Sequence, residues 1–141
     1  MGRIMVHMCG LAVLFVLAVA GNGFGGEGTP APLDSLTGKY EGSMFIHFSK
    51  PLEYDYQTEI VSVDKASNTL SLVAHCDKCE TRDWKRNHCK ITEAKEEIKF
   101  TCKGNSADEV YTVKDGALRA TGQGKKLPYS ISAKKVDKFS Y

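Results

Sequence analysis

The chain has 141 residues and carries 19 lysines and arginines against 17 aspartates and glutamates, a net charge of +2. A balance this even gives no electrostatic basis for a nucleic-acid or anionic-membrane partner. The length suits one domain built around one core.

The N-terminus, MGRIMVHMCGLAVLFVLAVAGNG, sets Arg3 ahead of an apolar core from Leu11 to Val19 and closes on Ala18-Val19-Ala20. That is the layout of a secretory signal peptide with an A-x-A site, so residues 1–20 are expected to be removed near Ala20. The apolar run is about ten residues long, roughly half of what a spanning helix requires. No other stretch approaches that length, so no membrane span is expected in the mature chain. Cys9 precedes the apolar core, the wrong side for lipidation, and leaves with the signal. The mature chain is then expected to be periplasmic or secreted, with 18 basic against 17 acidic residues.

Residues 21–35, GNGFGGEGTPAPLDS, are rich in glycine and proline with a single aromatic, and read as a flexible leader. The domain, 36–141, is dominated by alternation of period two. In KYEGSMFIHF, Tyr40, Gly42, Met44, Ile46 and Phe48 share one face. After Ser49-Lys50-Pro51 breaks the strand, Tyr54, Tyr56, Thr58 and Ile60 share a face of the next. DKASN supplies a turn, and Leu70, Leu72, Ala74 and Cys76 alternate in the third strand. Beyond a charged segment taken as one long loop from Cys76 to His88, Cys89 and Ile91, then Ile98, Phe100 and Cys102, restore the rhythm. KGNSAD is a turn, EVYTV a strand, KDG a tight Asp-Gly turn and ALRAT its return strand. GQGKK turns into LPYSISAKKV, where Leu127, Tyr129, Ile131 and Ala133 alternate with polar neighbours.

About eight short strands joined mostly by three to six residues suit antiparallel neighbours, because parallel crossovers take about a dozen or more. The expected fold is all-β: an antiparallel up-and-down meander forming a small barrel, with an open β-sandwich as the alternative. The opening Leu36-Thr37-Gly38-Lys39-Tyr40, followed by EGSMFI, resembles the first strand of lipocalin- and avidin-type barrels, where Gly-x-Trp/Tyr marks the entry. Tyr40 stands where those families usually carry tryptophan. The resemblance spans about ten residues plus the strand rhythm. It implies a cup able to hold a small apolar ligand, and none of those families' ligand contacts maps onto this chain.

The segment HCDKCETRDWKRNHC admits three readings. An even number of cysteines in an exported domain points first to disulfides. If CKITEAKEEIKFTC is a hairpin in which Ile91 faces Phe100 and Glu93 faces Ile98, the same register sets Cys89 opposite Cys102. Its two-residue loop, Lys95-Glu96, lacks the usual Asn or Gly. Cys76 and Cys79 then close a short bridge, and cross-pairings among the four stay open. A metal site is the second reading: His75, Cys76, Cys79, His88 and Cys89 are ligand types, but His88 and Cys89 are strand neighbours that point to opposite faces. In the third, a redox C-x-x-C, Asp77 and Glu80 oppose thiolate formation beside Lys78 and Arg82.

Other chemistry is thin. Glu93, Glu96 and Glu97 read as a solvated cluster at a turn, and Gly122-Gln123-Gly124 precedes no helix that could cradle phosphate. The FSY terminus resembles that of outer-membrane barrels, but Asp137 and Lys135 would then face lipid. The reading reached is an exported binding module without catalytic residues, cofactor or metal. Its inner face offers Tyr40, Met44, Tyr54, Tyr56, Phe100 and Tyr129 to a small apolar ligand, or else these side chains simply fill the barrel. The segment Trp84, Lys85, Arg86 is expected to be a partner-contact loop. The alternative is a periplasmic thiol protein using Cys76, Cys79 and Cys89 for metal binding or redox chemistry.

Overall fold

Alternating apolar positions can bury a continuous face only if the sheet curls back on itself, and here it does. The computed structural model describes residues 33–140; the expected signal segment, the cleavage expected near Ala20 and residues 21–32 of the expected leader lie outside that range. The strands are β1 (Gly38–Ile46), β2 (Leu52–Asp64), β3 (Thr69–Cys76), β4 (Asp83–Ala94), β5 (Ile98–Lys103), β6 (Asp108–Lys114), β7 (Ala117–Gln123) and β8 (Pro128–Val136). Each pairs antiparallel with the next, and β8 pairs with β1 to close the ring. The fold is thus the up-and-down barrel, not the open sandwich.

One end is plugged. Leu33–Leu36 forms a 3-10 turn just ahead of β1, and Leu36 is fully buried. The Tyr40 hydroxyl donates to the Leu36 carbonyl at 2.8 Å, and Lys135 Nζ donates to the Ser35 carbonyl. The core runs up from this plug through Ile60, Leu70, Leu72, Ile91, Ile98, Phe100, Leu118 and Ile131. At the Asp115-Gly116 turn both residues have positive φ, 50° and 76°, the pair of left-handed positions that a tight hairpin with right-twisted strands requires. On the outside, the C-terminal residues fold back over β1: Ser140 donates from its backbone N–H and its hydroxyl to Glu41, at 2.9 and 2.6 Å.

Three expectations need correction. Phe48 is not on the inner face: β1 ends at Ile46, and Phe48 stands 49% exposed in the following bend. The charged segment is not one loop to His88. The loop is Asp77–Arg82, and β4 starts at Asp83. Its polarity misled because a bulge with His88 at φ 57° resets the alternation. Before the bulge the inward positions are Trp84 and Arg86, opposite Ala74 and Leu72; after it they are Cys89 and Ile91. The β4–β5 hairpin keeps the expected pairing of Ile91 with Phe100, but a second bulge at Thr92 moves Glu93 opposite Lys99 and Ala94 opposite Ile98. The turn therefore spans three residues, Lys95 to Glu97, which relieves the demand for an Asn-Gly pair.

Candidate functional site

The end of the barrel opposite the plug is ringed by the β1–β2, β3–β4, β5–β6 and β7–β8 connections. Between them lies a recess of about 330 Å³ lined by, among others, Met44, Cys79, Trp84, Arg86, Leu127 and Tyr129. That volume falls toward the lower end of the roughly 300–1,000 Å³ typical of small-molecule sites. Its upper wall is apolar and sulfur-rich: Cys79 Sγ touches Met44 Sδ at 3.6 Å. Lys125, Lys126 and Glu80 stand at the rim, with Lys125 and Glu80 3.9 Å apart.

Below the apolar wall the interior becomes polar. Glu109 projects inward from β6 and is 1% exposed. A carboxylate so deeply buried requires compensation, and it accepts four hydrogen bonds. Arg86 Nε and the Tyr111 hydroxyl donate to Oε1 at 2.9 and 3.1 Å. Arg86 Nη2 donates to Oε2 at 3.3 Å, and the Tyr129 hydroxyl makes a short bond to the same oxygen. Burial raises the phenol pKa values of Tyr111 and Tyr129, and the adjacent Glu109 charge adds to it in both. Both remain protonated donors at any physiological pH. Burial alone would lower the pKa of Arg86, but the bond to Glu109 and its charge outweigh that, so the guanidinium is held firmly as a cation.

Tyr129 reaches Glu109 because of the residue it pairs with. Gly122 lies directly opposite on β7, and a Cβ there would collide with the Tyr129 ring. The ring lies across the bare backbone and delivers its hydroxyl to β6. Behind the recess, the rings of Tyr56 and Trp84 are 6.1 Å apart and tilted. Trp84 Nε1 is buried without a hydrogen-bond partner within the protein, while the Tyr56 hydroxyl lies within reach of the Thr58 and Tyr111 hydroxyls.

The cysteines form two bridges, Cys76–Cys79 and Cys89–Cys102, with Cα separations of 5.4 and 4.3 Å. The first closes the Asp77–Arg82 loop at the mouth, where His75 and Asp83 also meet at 2.7 Å. The second lies buried in the wall, with Cys102 directly opposite Glu109. No family model, curated protein or solved structure matches this chain. What it does must be read from the barrel itself.

The six side chains expected to face a ligand separate by height. Met44 and Tyr129 line the recess. Tyr56 is fully buried behind Trp84. Tyr40 belongs to the plug, and Phe100 stacks on Tyr111 at 4.7 Å in the core. Tyr54 is half-buried on β2, opposite Met44. Of the segment expected to contact a partner, Trp84 and Arg86 turn inward to the recess, while Lys85 is exposed and faces outward. Lys85 borders a shallow outer trough over β2–β4, flanked by Phe139 and lined by Gln57, Val73 and His75. Among the described residues no group of three His, Cys, Asp or Glu is disposed to hold a metal, and no helix is long and apolar enough to cross a membrane.

Glu109, Tyr111 and Gly122 were not singled out from sequence. Glu109 and Tyr111 alternate with Asp108 and Val110, so period two alone assigns them to one face. Nothing in EVYTV says that this face is the inner one, because exposed Val110 is as apolar as its neighbours. The pairing of Arg86 with Glu109 joins two strands that are not adjacent, and only the closed ring reveals it.

Proposed function

We propose that this chain is a disulfide-stabilised binding module that takes a small molecule with a largely apolar body into the mouth recess and performs no catalysis. The observation that carries this is the combination of a plugged end with an open one that leads past Met44, Ile46, Leu127 and Trp84 to a polar floor. Glu109 has all its acceptor positions engaged, which leaves it poorly placed as a general base. A lipocalin- or avidin-like relationship is in keeping with the closed barrel and the Gly38-Lys39-Tyr40 entry. Action outside the cytoplasm suits two disulfides and the apolar N-terminus. A metal role for Cys76, Cys79 and Cys89 finds less support because all three are bridged here, and a redox role because the Cys76–Cys79 loop leads into strand β4 and not into the helix N-terminus that activates such thiols.

Native mass spectrometry of protein purified from its own host, with thermal denaturation across a panel of lipids and small aromatics, tests this reading. A ligand at about 100 times its Kd should stabilise by about 2.7 kcal/mol and raise the Tm by several degrees. A protein that carries no copurifying molecule and shows no shift with any panel member would sink the proposal.

A further inference from the structure

The interior holds more hydrogen-bond donors than acceptors, and that imbalance says which chemical groups it can receive. The two oxygens of Glu109 offer about four acceptor positions, and four donors from Arg86, Tyr111 and Tyr129 occupy them. Arg86 Nη1 donates to the Lys85 carbonyl at 3.2 Å. Of the five N–H groups a guanidinium carries, three are thereby accounted for, and the side chain is still 12% exposed at the recess. Trp84, which lines the same recess, can only donate from its indole nitrogen, and that nitrogen has no partner. The Tyr56 hydroxyl lies behind it, within reach of the Thr58 and Tyr111 hydroxyls, and is fully buried. An unpaired buried donor is costly, so a ligand able to accept from Arg86 and Trp84 gains what the free fold forgoes. A ligand that leads with a donor meets no open carboxylate and faces the Arg86 cation.

We propose that the recess is selective for ligands that present a hydrogen-bond acceptor, a carbonyl or carboxylate, to the Arg86 and Trp84 donors, with an aromatic or compact apolar body against Met44 and the Cys76–Cys79 bridge. Sulfur at the wall favours an aromatic body, since thioether and ring contacts are mutually attractive. Arg86 and Glu109 cancel in charge, so the attraction rests on donor geometry and does not demand an anion. This inference rests on the small-molecule reading above and narrows it to one ligand chemistry.

Three probes share one skeleton and differ only at the leading group: phenylacetate, benzyl methyl ketone and 2-phenylethylammonium. Trp84 is the only tryptophan in the chain, so its emission reports the recess directly, and calorimetry gives the affinities. Phenylacetate and the ketone should bind at least tenfold more tightly than the ammonium. A tighter carboxylate marks an anionic natural ligand and near-equal affinities a neutral carbonyl. Tyr56→Phe, which removes a hydroxyl behind the recess wall, should leave acceptor affinity unchanged. Trp84→Phe, followed by calorimetry, should weaken the acceptor probes several-fold. If the ammonium binds as well as the acceptors, or if Trp84→Phe leaves acceptor affinity unchanged, the donor assignment is wrong while the binding reading stands. If none of the three binds, the acceptor-led assignment fails, and the copurification and ligand panel above decide the binding reading separately.

Discussion

Arg86 of β4 and Glu109 of β6 meet at 2.9 Å inside the barrel across the whole width of β5. The two strands are not neighbours in the sheet, and each residue would be an uncompensated charge without its partner. Breaking such a pair from one side costs about 3–5 kcal/mol, mostly the penalty of the charge left behind. Arg86→Met should therefore destabilise strongly in urea unfolding. Arg86→Met combined with Glu109→Gln should be more stable than Arg86→Met alone, since the stranded carboxylate is neutralised. A double variant less stable than that single one would show that the pair does not control the interior charge.

Four of the six tyrosines are held protonated by the fold. Burial pushes the Tyr40 phenol up to about 12, and burial likewise raises Tyr56, Tyr111 and Tyr129. In the unfolded chain they titrate near 10. Above that pH the folded state binds more protons than the unfolded one, so stability falls as pH rises. Their contribution is complete below about pH 10 and is lost as the pH climbs past 10 toward 12 and beyond. Phenolate absorbance for these four should appear together with the loss of tertiary circular dichroism. Their titration in an intact fold would contradict the burial described.

The two bridges should differ in how much they stabilise. Cys89–Cys102 spans 13 residues and Cys76–Cys79 only 3, which chain-entropy arguments translate to about 3 and about 2 kcal/mol. Cys102→Ala with Cys89→Ala should lower the urea midpoint more than the paired change at Cys76 and Cys79. The latter should alter the mouth, read as a shift in Trp84 emission. Alkylation of the unreduced, unfolded protein should label none of these four cysteines.

Gly122→Ala should lift the Tyr129 ring from β7 and break its bond to Glu109. The expected cost is about 1–3 kcal/mol, that of overfilling a packed site, together with weaker binding of the acceptor probes. Tyr129→Phe removes the same hydrogen bond without the collision and should reproduce the binding change at a smaller cost. If Gly122→Ala binds the probes unchanged, Tyr129 does not shape the recess.

Much of this architecture is legible in the residues alone. Alternation at Leu70, Leu72, Ala74 and Cys76 identifies an inner face, and short turns such as Asp115-Gly116 enforce antiparallel neighbours. The facing of Cys89 and Cys102 follows from matching Ile91 to Phe100. The site was harder to read for one reason: its decisive residues are charged. Period-two reasoning assigns Arg86 and Glu109 to solvent, because only a partner brought by ring closure makes either tolerable inside. The bulge at His88 hid the inward turn of Trp84 and Arg86 for a similar reason, since alternation carries no marker for a slipped register.

The seam between β1 and β8 joins Lys39 to Val136 and Ile46 to Tyr129, residues from opposite ends of the domain. Every other strand pair forms between sequence neighbours, so seven of the eight ladders are available before the last strand exists. Until β8 arrives, the sheet has two free edges, the template for pairing with other chains. The C-terminal strand is thus the step that ends exposure to aggregation. It also carries Tyr129 to Glu109, so the act that seals the ring completes the polar floor of the recess. A chain truncated before Pro128 would lose both at once.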